Sequence, residues 1–155
     1  MSFVDEATID VKAGDGGDGI VNFRREAHVP RGGPDGGDGG RGGDVYAVGL
    51  RNRTTLYDYR YQRVFEAETG SRGEGGRRSG RGGATLELEF PLGTILTNRA
   101  TGALVADLVE DGVPILIAEG GKGGLGNVHF KSSRRRSPEK STKGKPGEAL
   151  VLDVE

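Results

Sequence analysis

The sequence predicts an all-β fold: an antiparallel β barrel or sandwich as a base, with packed glycine-rich helices of the polyproline II type protruding from it. Three observations predict it. Glycine, which supplies 30 of the 155 residues, returns at every third position in four separate places. Short segments of alternating or β-branched residues lie between those places. Only one segment carries anything like the 3.6-residue stripe of a helix.

The glycine tracts are the strongest signal. Gly14 and Gly17, with Gly16 and Gly19 beside them, stand in GDGGDG. Gly33, Gly36, Gly39 and Gly42 run through GGPDGGDGGRGG. Gly70, Gly73 and Gly76 follow in GSRGEGG, and Gly120, Gly123 and Gly126 in GGKGGLG. A period of three belongs to neither helix nor strand, but matches polyproline II with its 3 residues per turn. That helix has no internal hydrogen bonds, so its N–H and C=O groups need outside partners. A column of glycine lets neighbouring backbones approach closely enough to supply them, as in collagen. The tracts are therefore expected to pack side by side, glycine inward, with Asp15, Asp38 and Arg41 pointing out. At ~3.1 Å per residue, residues 32–43 span roughly 37 Å. Flexible linker is the competing reading of such sequence. The strict spacing and the charged intervening residues favour order.

The strand segments follow in turn. Ile9 and Val11 alternate with Thr8, Asp10 and Lys12. Leu86, Leu88 and Phe90 alternate with Glu87 and Glu89 up to Pro91, a period of two. Residues 103–109, 113–118 and 149–154 are short, β-branched or Leu-rich, and bounded by Gly, Pro or acidic residues. Residues 56–65 read two ways: Tyr57, Tyr59 and Tyr61 alternate, whereas Tyr57, Tyr61, Val64 and Phe65 would stripe a helix. Tracts and strands interleave, so residues 1–155 are read as one domain. The glycine excursions lie near 14–43, 70–83 and 120–147.

Composition excludes several function classes. A hydrophobic share of 33% allows only a small core. The chain has no Cys, so thiol nucleophiles, thiolate zinc sites and disulfides are out, and a reducing cytoplasm fits. No apolar run nears the ~20 residues that cross a bilayer, and no signal pattern opens the chain. Gly14, Gly16 and Gly19 spell G-x-G-x-x-G, but a dinucleotide site needs a helix next, and Ile20 to Phe23 continue as β-like IVNF. No G-x-x-x-x-G-K-[ST] phosphate loop exists. His28 and His129 are the two histidines, and neither has a partner at metal-ligand spacing. The expectation is no catalytic residue, no metal and no cofactor in this chain, and a monomer.

The functional signal is the distribution of charge, since the net charge is only -1. Lys131, Arg134, Arg135, Arg136, Lys140, Lys143 and Lys145 are opposed within their stretch by Glu139 alone. A second cluster is Arg72, Arg77, Arg78 and Arg81, and a third is Arg24, Arg25 and Arg31. All three lie in or beside glycine excursions. Guanidinium groups suit bidentate contact with phosphates, and neighbouring Ser and Thr hydroxyls suit phosphate oxygens. Phe23 and Phe130 are the nearby aromatics, so RNA is expected to be met through backbone and shape rather than bases. The alternative is a structural glycine-helix module mediating protein–protein contact, its charges serving solubility.

The stretches VKAGDGGDGIVNFRREAHVPRGGPDGGDGGRGGDV, FPLGTIL, ADL and AEGGKGGLGNVHF resemble, in order and over nearly the whole chain, the N-terminal domain of the Obg (CgtA) family of ribosome-associated GTPases. The resemblance implies the Obg-type fold, a β-barrel base carrying packed polyproline II helices. It implies a role in large ribosomal subunit assembly, with tip loops reaching the peptidyl transferase region and contacting ribosomal RNA. By position those loops correspond to residues 24–31, 72–81 and 131–140, the three basic clusters. The loop RGEGGRRSGRGG is richer in Gly and Arg than the family pattern. The resemblance also implies a GTPase domain after Glu155, which would bind GTP and magnesium.

Overall fold

Alternation sets the strands. The computed structural model describes residues 6–25 and 32–155. In it the chain forms β1 (Ala7–Lys12), β2 (Val45–Leu50), β3 (Val64–Glu66), β4 (Leu86–Pro91), β5 (Ile95–Asn98), β6 (Leu104–Asp107), β7 (Ile115–Ala118) and β8 (Ala149–Val154). Helix among the described residues is limited to two 3₁₀ turns, Tyr57–Arg60 and Asn127–Phe130. The ambiguous stretch 56–65 is thus divided: Tyr57 and Tyr59 sit in the first turn, Tyr61 caps it, and β3 begins at Val64. The fold is all-β, and β8 has the boundaries its sequence suggests.

The sheets are open and mixed, not a closed antiparallel barrel. One has five strands in the order β3-β1-β8-β5-β6, the other three in the order β4-β2-β7. β1 pairs with β3 in parallel, and β2 with β4 in parallel; the other pairs are antiparallel. The glycine excursions explain this. Each leaves the end of one strand and re-enters at the start of another: β1 to β2, β3 to β4 and β7 to β8. All three leave at one edge of the molecule, where Lys12 faces Glu66 and Ala149, and Val45 faces Leu86 and Ala118. Strands β1, β3 and β7 therefore run toward that edge and β2, β4 and β8 away from it. Neighbours that share a direction must pair in parallel.

The core lies between the sheets. Ile9, Val11, Leu96, Leu152 and Val154 from the larger sheet bury against Val45, Ala47, Leu88, Phe90 and Ile117 from the smaller. Burying one such side chain contributes about 1.5–3 kcal/mol. Tyr59 stacks on Phe90 with ring centroids 4.7 Å apart, and its hydroxyl donates to the Glu89 carbonyl. Burial pushes that phenol up to about 12. Among the described residues no helix is long and apolar enough to cross a membrane.

Candidate nucleic-acid interface

The excursions fold as six extended segments lying side by side: residues 14–22, 33–43, 68–74, 78–84, 119–127 and 142–148. Their backbone hydrogen bonds keep the rhythm of three. Gly14, Gly17 and Ile20 donate to Gly43, Gly40 and Gly37. Gly37, Gly40 and Gly43 in turn donate to Glu74, Ser71 and Glu68. Gly121, Gly124 and Asn127 donate back to Gly14, Gly17 and Ile20. Each series sends every third amide of one segment to every third carbonyl of a neighbour, which is how backbone without internal bonds becomes satisfied.

Close approach explains the glycine. A Cβ at Gly36, Gly39 or Gly42 would fall on the carbonyls of Ile20, Gly17 and Gly14. One at Gly14 or Gly17 would fall on those of Glu68 and Ser71, and one at Gly120, Gly123 or Gly126 on those of Gly42, Gly39 and Gly36. The segments with neighbours on both sides carry a second column that a single period of three does not announce. Gly37, Gly40 and Gly43 face Arg78, Arg81 and Ala84 in this way. Two glycines of the expected series do not belong to a column. A Cβ at Gly33 would meet nothing within 4 Å, because the chain has already passed the packed region. Gly76 has φ 73° and makes a turn with Arg77, whose φ is 59°.

The aspartates are not the outward-pointing residues expected. Asp15 accepts the Gly147 amide at 2.9 Å, Asp18 that of Gly144 at 2.9 Å, and Asp38 that of Gly126 at 2.8 Å. Asp44 accepts the Gly120 amide at 2.7 Å. These carboxylates bridge neighbouring segments with charge-assisted bonds. Hydrogen bonds from Lys12 and then Gly147 hold Asp15 below the usual carboxylate range. Burial pushes Asp44 up, but the Gly120 amide and Arg41 outweigh it, and its net displacement is downward. Arg41 is exposed, as expected, but paired with Asp44 at 3.1 Å and Glu119 at 3.2 Å.

At the far end the three excursions converge. Asp35, 8% exposed, accepts from Asn22 Nδ2 at 2.6 Å and from the Gly76 amide at 3.2 Å, while its carbonyl accepts from the Arg77 amide at 2.6 Å. Asn127 bonds to Asn22, Gly36 and Pro138. The segments bearing Arg24 and Arg25, Arg77 and Arg78, and residues 131–140 therefore share one tip. Arg72 and Arg81 stand lower, level with the Gly17–Gly40 bond, since Ser71 accepts from Gly40 and donates to Arg81. Arg31 lies outside the described residues, as does His28.

Basic residues outnumber acids at the tip, where Asp35, Glu74 and Glu139 stand among them. Asp44, Glu68, Glu119 and Glu148 lie at the stem, where the excursions leave the strands. Arg24, Arg25, Arg72, Arg77, Arg81, Lys131, Arg134, Arg135 and Arg136 are exposed, and among the described residues no carboxylate pairs with them. Arg78 lies 3.6 Å from Glu74. Exposed Lys140 sits 4.9 Å from the centre of the Phe130 ring, covering one face that a base would otherwise stack on. Phe23 pairs with Pro34 in an isolated bridge. His129 is bonded to Asp38 at 3.0 Å. Sequence reading found the arginines but missed Asn22, Asp35, Asn127 and Pro138, which organise them. The available signal was position: Asn127 follows the last glycine of its column, where a new packing partner must take over.

The same hydrogen bonds dispose of the G-x-G-x-x-G match. The amides of Gly14, Gly16, Gly17 and Gly19 donate to Gly43, Lys145, Gly40 and Thr142, which leaves none of the four to cradle a pyrophosphate, and no helix follows. A family model described as GTP1/OBG matches residues 4–155.

Proposed function

Because this chain belongs to the GTP1/OBG family, we propose that it is the ribosome-binding domain of an Obg-family GTPase, acting in assembly of the large ribosomal subunit. On this reading the tip contacts ribosomal RNA, and residues 1–155 are one domain without catalytic residues. GTP and magnesium belong to a GTPase domain following residue 155 in the full-length protein, which works in the cytoplasm. The residues of this chain do not fit GTP themselves, since it has no phosphate loop and the glycine amides nearest to one are bonded within the bundle.

The observation that carries the reading is the convergence of basic residues from three excursions on one narrow end, where they outnumber the acids Asp35, Glu74 and Glu139. Such a tip attracts a dense array of phosphates and can enter a cleft that a rounder domain cannot. Affinity would then come from neutralised phosphates and fall steeply with salt.

The test is co-sedimentation with purified large ribosomal subunits at several salt concentrations, paired with thermal melts. Replacing Arg134, Arg135 and Arg136 with Glu should leave the Tm nearly unchanged, because exposed charges contribute little to stability, yet strongly weaken binding. Replacing them with Ala should weaken it less and flatten the salt dependence by up to about one unit of slope for each lost phosphate contact. Undiminished binding after reversal of all three clusters would remove the RNA reading and leave a protein–protein module.

A further inference from the structure

Residues 131–137 are all exposed, and Arg134, Arg135 and Arg136 sit among them. Ser132 and Arg135 bond to each other: the Ser132 amide donates to the Arg135 carbonyl, and the Arg135 amide to the Ser132 hydroxyl. The turn closes on itself. It follows the Asn127–Phe130 turn, where His129 bonds to Asp38, and on its other side it is anchored at Pro138, which is fully buried beside this exposed run.

Asn127 supplies the link. Its side chain is 0% exposed. Oδ1 accepts from the Gly36 amide at 2.9 Å and the Asn22 amide at 3.4 Å. Nδ2 donates to the carbonyls of Asn22 and Pro138, each at 3.0 Å. One carboxamide thus uses both donors and two acceptor positions to join three pieces of chain. Two are the segments whose ends carry Arg24 and Arg25 and lead to Asp35; the third is the loop of Arg134, Arg135 and Arg136. Neither Asp nor Leu, though similar in shape, makes this set of bonds. The carboxylate has no donors for two carbonyls, and Leu has no polar atom.

We infer that Asn127 is a positioning residue for phosphate recognition: through the Pro138 carbonyl it holds the 131–137 turn against the other two tips, so that arginines from separate excursions meet one RNA surface together. The inference rests on the RNA-binding reading above. It predicts that Asn127 contributes to binding only through those arginines. A loop that holds the competent arrangement a tenth of the time binds about tenfold more weakly, with no contact removed.

The experiment is a double-mutant cycle on binding to purified large ribosomal subunits. It compares Asn127→Ala, the triple Arg134→Ala, Arg135→Ala, Arg136→Ala, and the two combined. Asn127→Ala should lose about tenfold in affinity and lower the salt slope, and the combined variant should bind no more weakly than the triple. Because Asn127→Ala also leaves buried amides unpaired and lowers the Tm, Asn127→Asp is run in the same cycle. It keeps an oxygen to accept from the Asn22 and Gly36 amides but has no donor for the Pro138 carbonyl. It should reproduce the loss of affinity, and its coupling to the triple, at a temperature where melts show both variants folded. Losses that simply add, or full affinity in Asn127→Asp, overturn the positioning role while leaving the RNA reading in place. Full affinity in the triple variant alone overturns the role of these arginines in RNA binding, and the inference with it.

Discussion

A single methyl group at Gly39 tests the bundle at its centre. Residues 33–43 are bonded to segments 14–22, 68–74, 78–84 and 119–127, as many neighbours as segment 14–22 has and more than the other segments have. A Cβ on Gly39 would fall on the Gly17 carbonyl, which is backbone and has no rotamer to retreat into. Relief requires the two segments to part. The bonds that close their gap are Gly14 to Gly43 at 2.8 Å, Gly17 to Gly40 at 2.8 Å and Ile20 to Gly37 at 3.2 Å. At about 1 kcal/mol net for each bond, stretching all three costs about 3 kcal/mol. Replacing glycine returns about 0.4–1 kcal/mol by restricting the unfolded chain. Gly39→Ala should therefore destabilise by about 2–3 kcal/mol, or roughly 5–10 °C in Tm at this chain length. Gly33→Ala is the internal control: its Cβ enters open space, so it should be neutral or stabilise by up to about 1 kcal/mol. Thermal melts followed by circular dichroism decide the matter. Equal Tm values for Gly39→Ala and Gly33→Ala would refute close backbone packing as the reason for the glycine columns.

Two further outcomes follow from the carboxylates between segments. Asp38→Ala removes the acceptor of the Gly126 amide and the partner of His129, and should cost about 1–2 kcal/mol in the same melts; the sequence alone suggests almost no cost. Acid should loosen the bundle. The folded state holds Asp15 and Asp44 below 3.8, so their contribution is present above the unfolded value and lost as pH falls through the lower folded one. Amide exchange at Gly120 and Gly147 should accelerate as pH drops below about 3.8, relative to amides bonded only to backbone, and Asp44→Asn should abolish that acid response at Gly120.

How much of this was legible depended on whether a feature is local. The period of three lies open in the sequence because close packing acts on every turn of a segment. Strands β1 and β4 show their alternation because one face is polar. β2 does not: Val45, Ala47, Val48 and Gly49 are all buried, so a central strand covered on both faces offers no alternation, and it abuts a glycine run that masks its start. β5 escapes notice because it is four residues long and opens on exposed Ile95. Parallel pairing was illegible, since it depends on all excursions leaving by one edge. The basic clusters could be read from composition, whereas Asp35 and Asn127 could not. Their roles exist only where three chain segments meet, and an aspartate among glycines looks solvated until a neighbouring amide is found against it.

The bundle also explains why such a tip is built from glycine despite the cost. Each glycine loses more conformational freedom on folding than any other residue, and the segments bury little apolar side chain to offset it. What offsets it is the lattice of backbone bonds, which only glycine permits at this separation. A side-chain core would need sheet or helix spacing of roughly 8–10 Å between elements; backbone on backbone removes most of that thickness. The consequence for the proposed function is that the arginines ride on a slender support whose stiffness comes from main chain, so that, Arg78 apart, their side chains carry no ion pair with a described carboxylate. Arg41, by contrast, sits near the stem and is engaged by Asp44 and Glu119. Cations at the stem pair within the bundle; on the proposed function, cations at the tip meet a partner's phosphates.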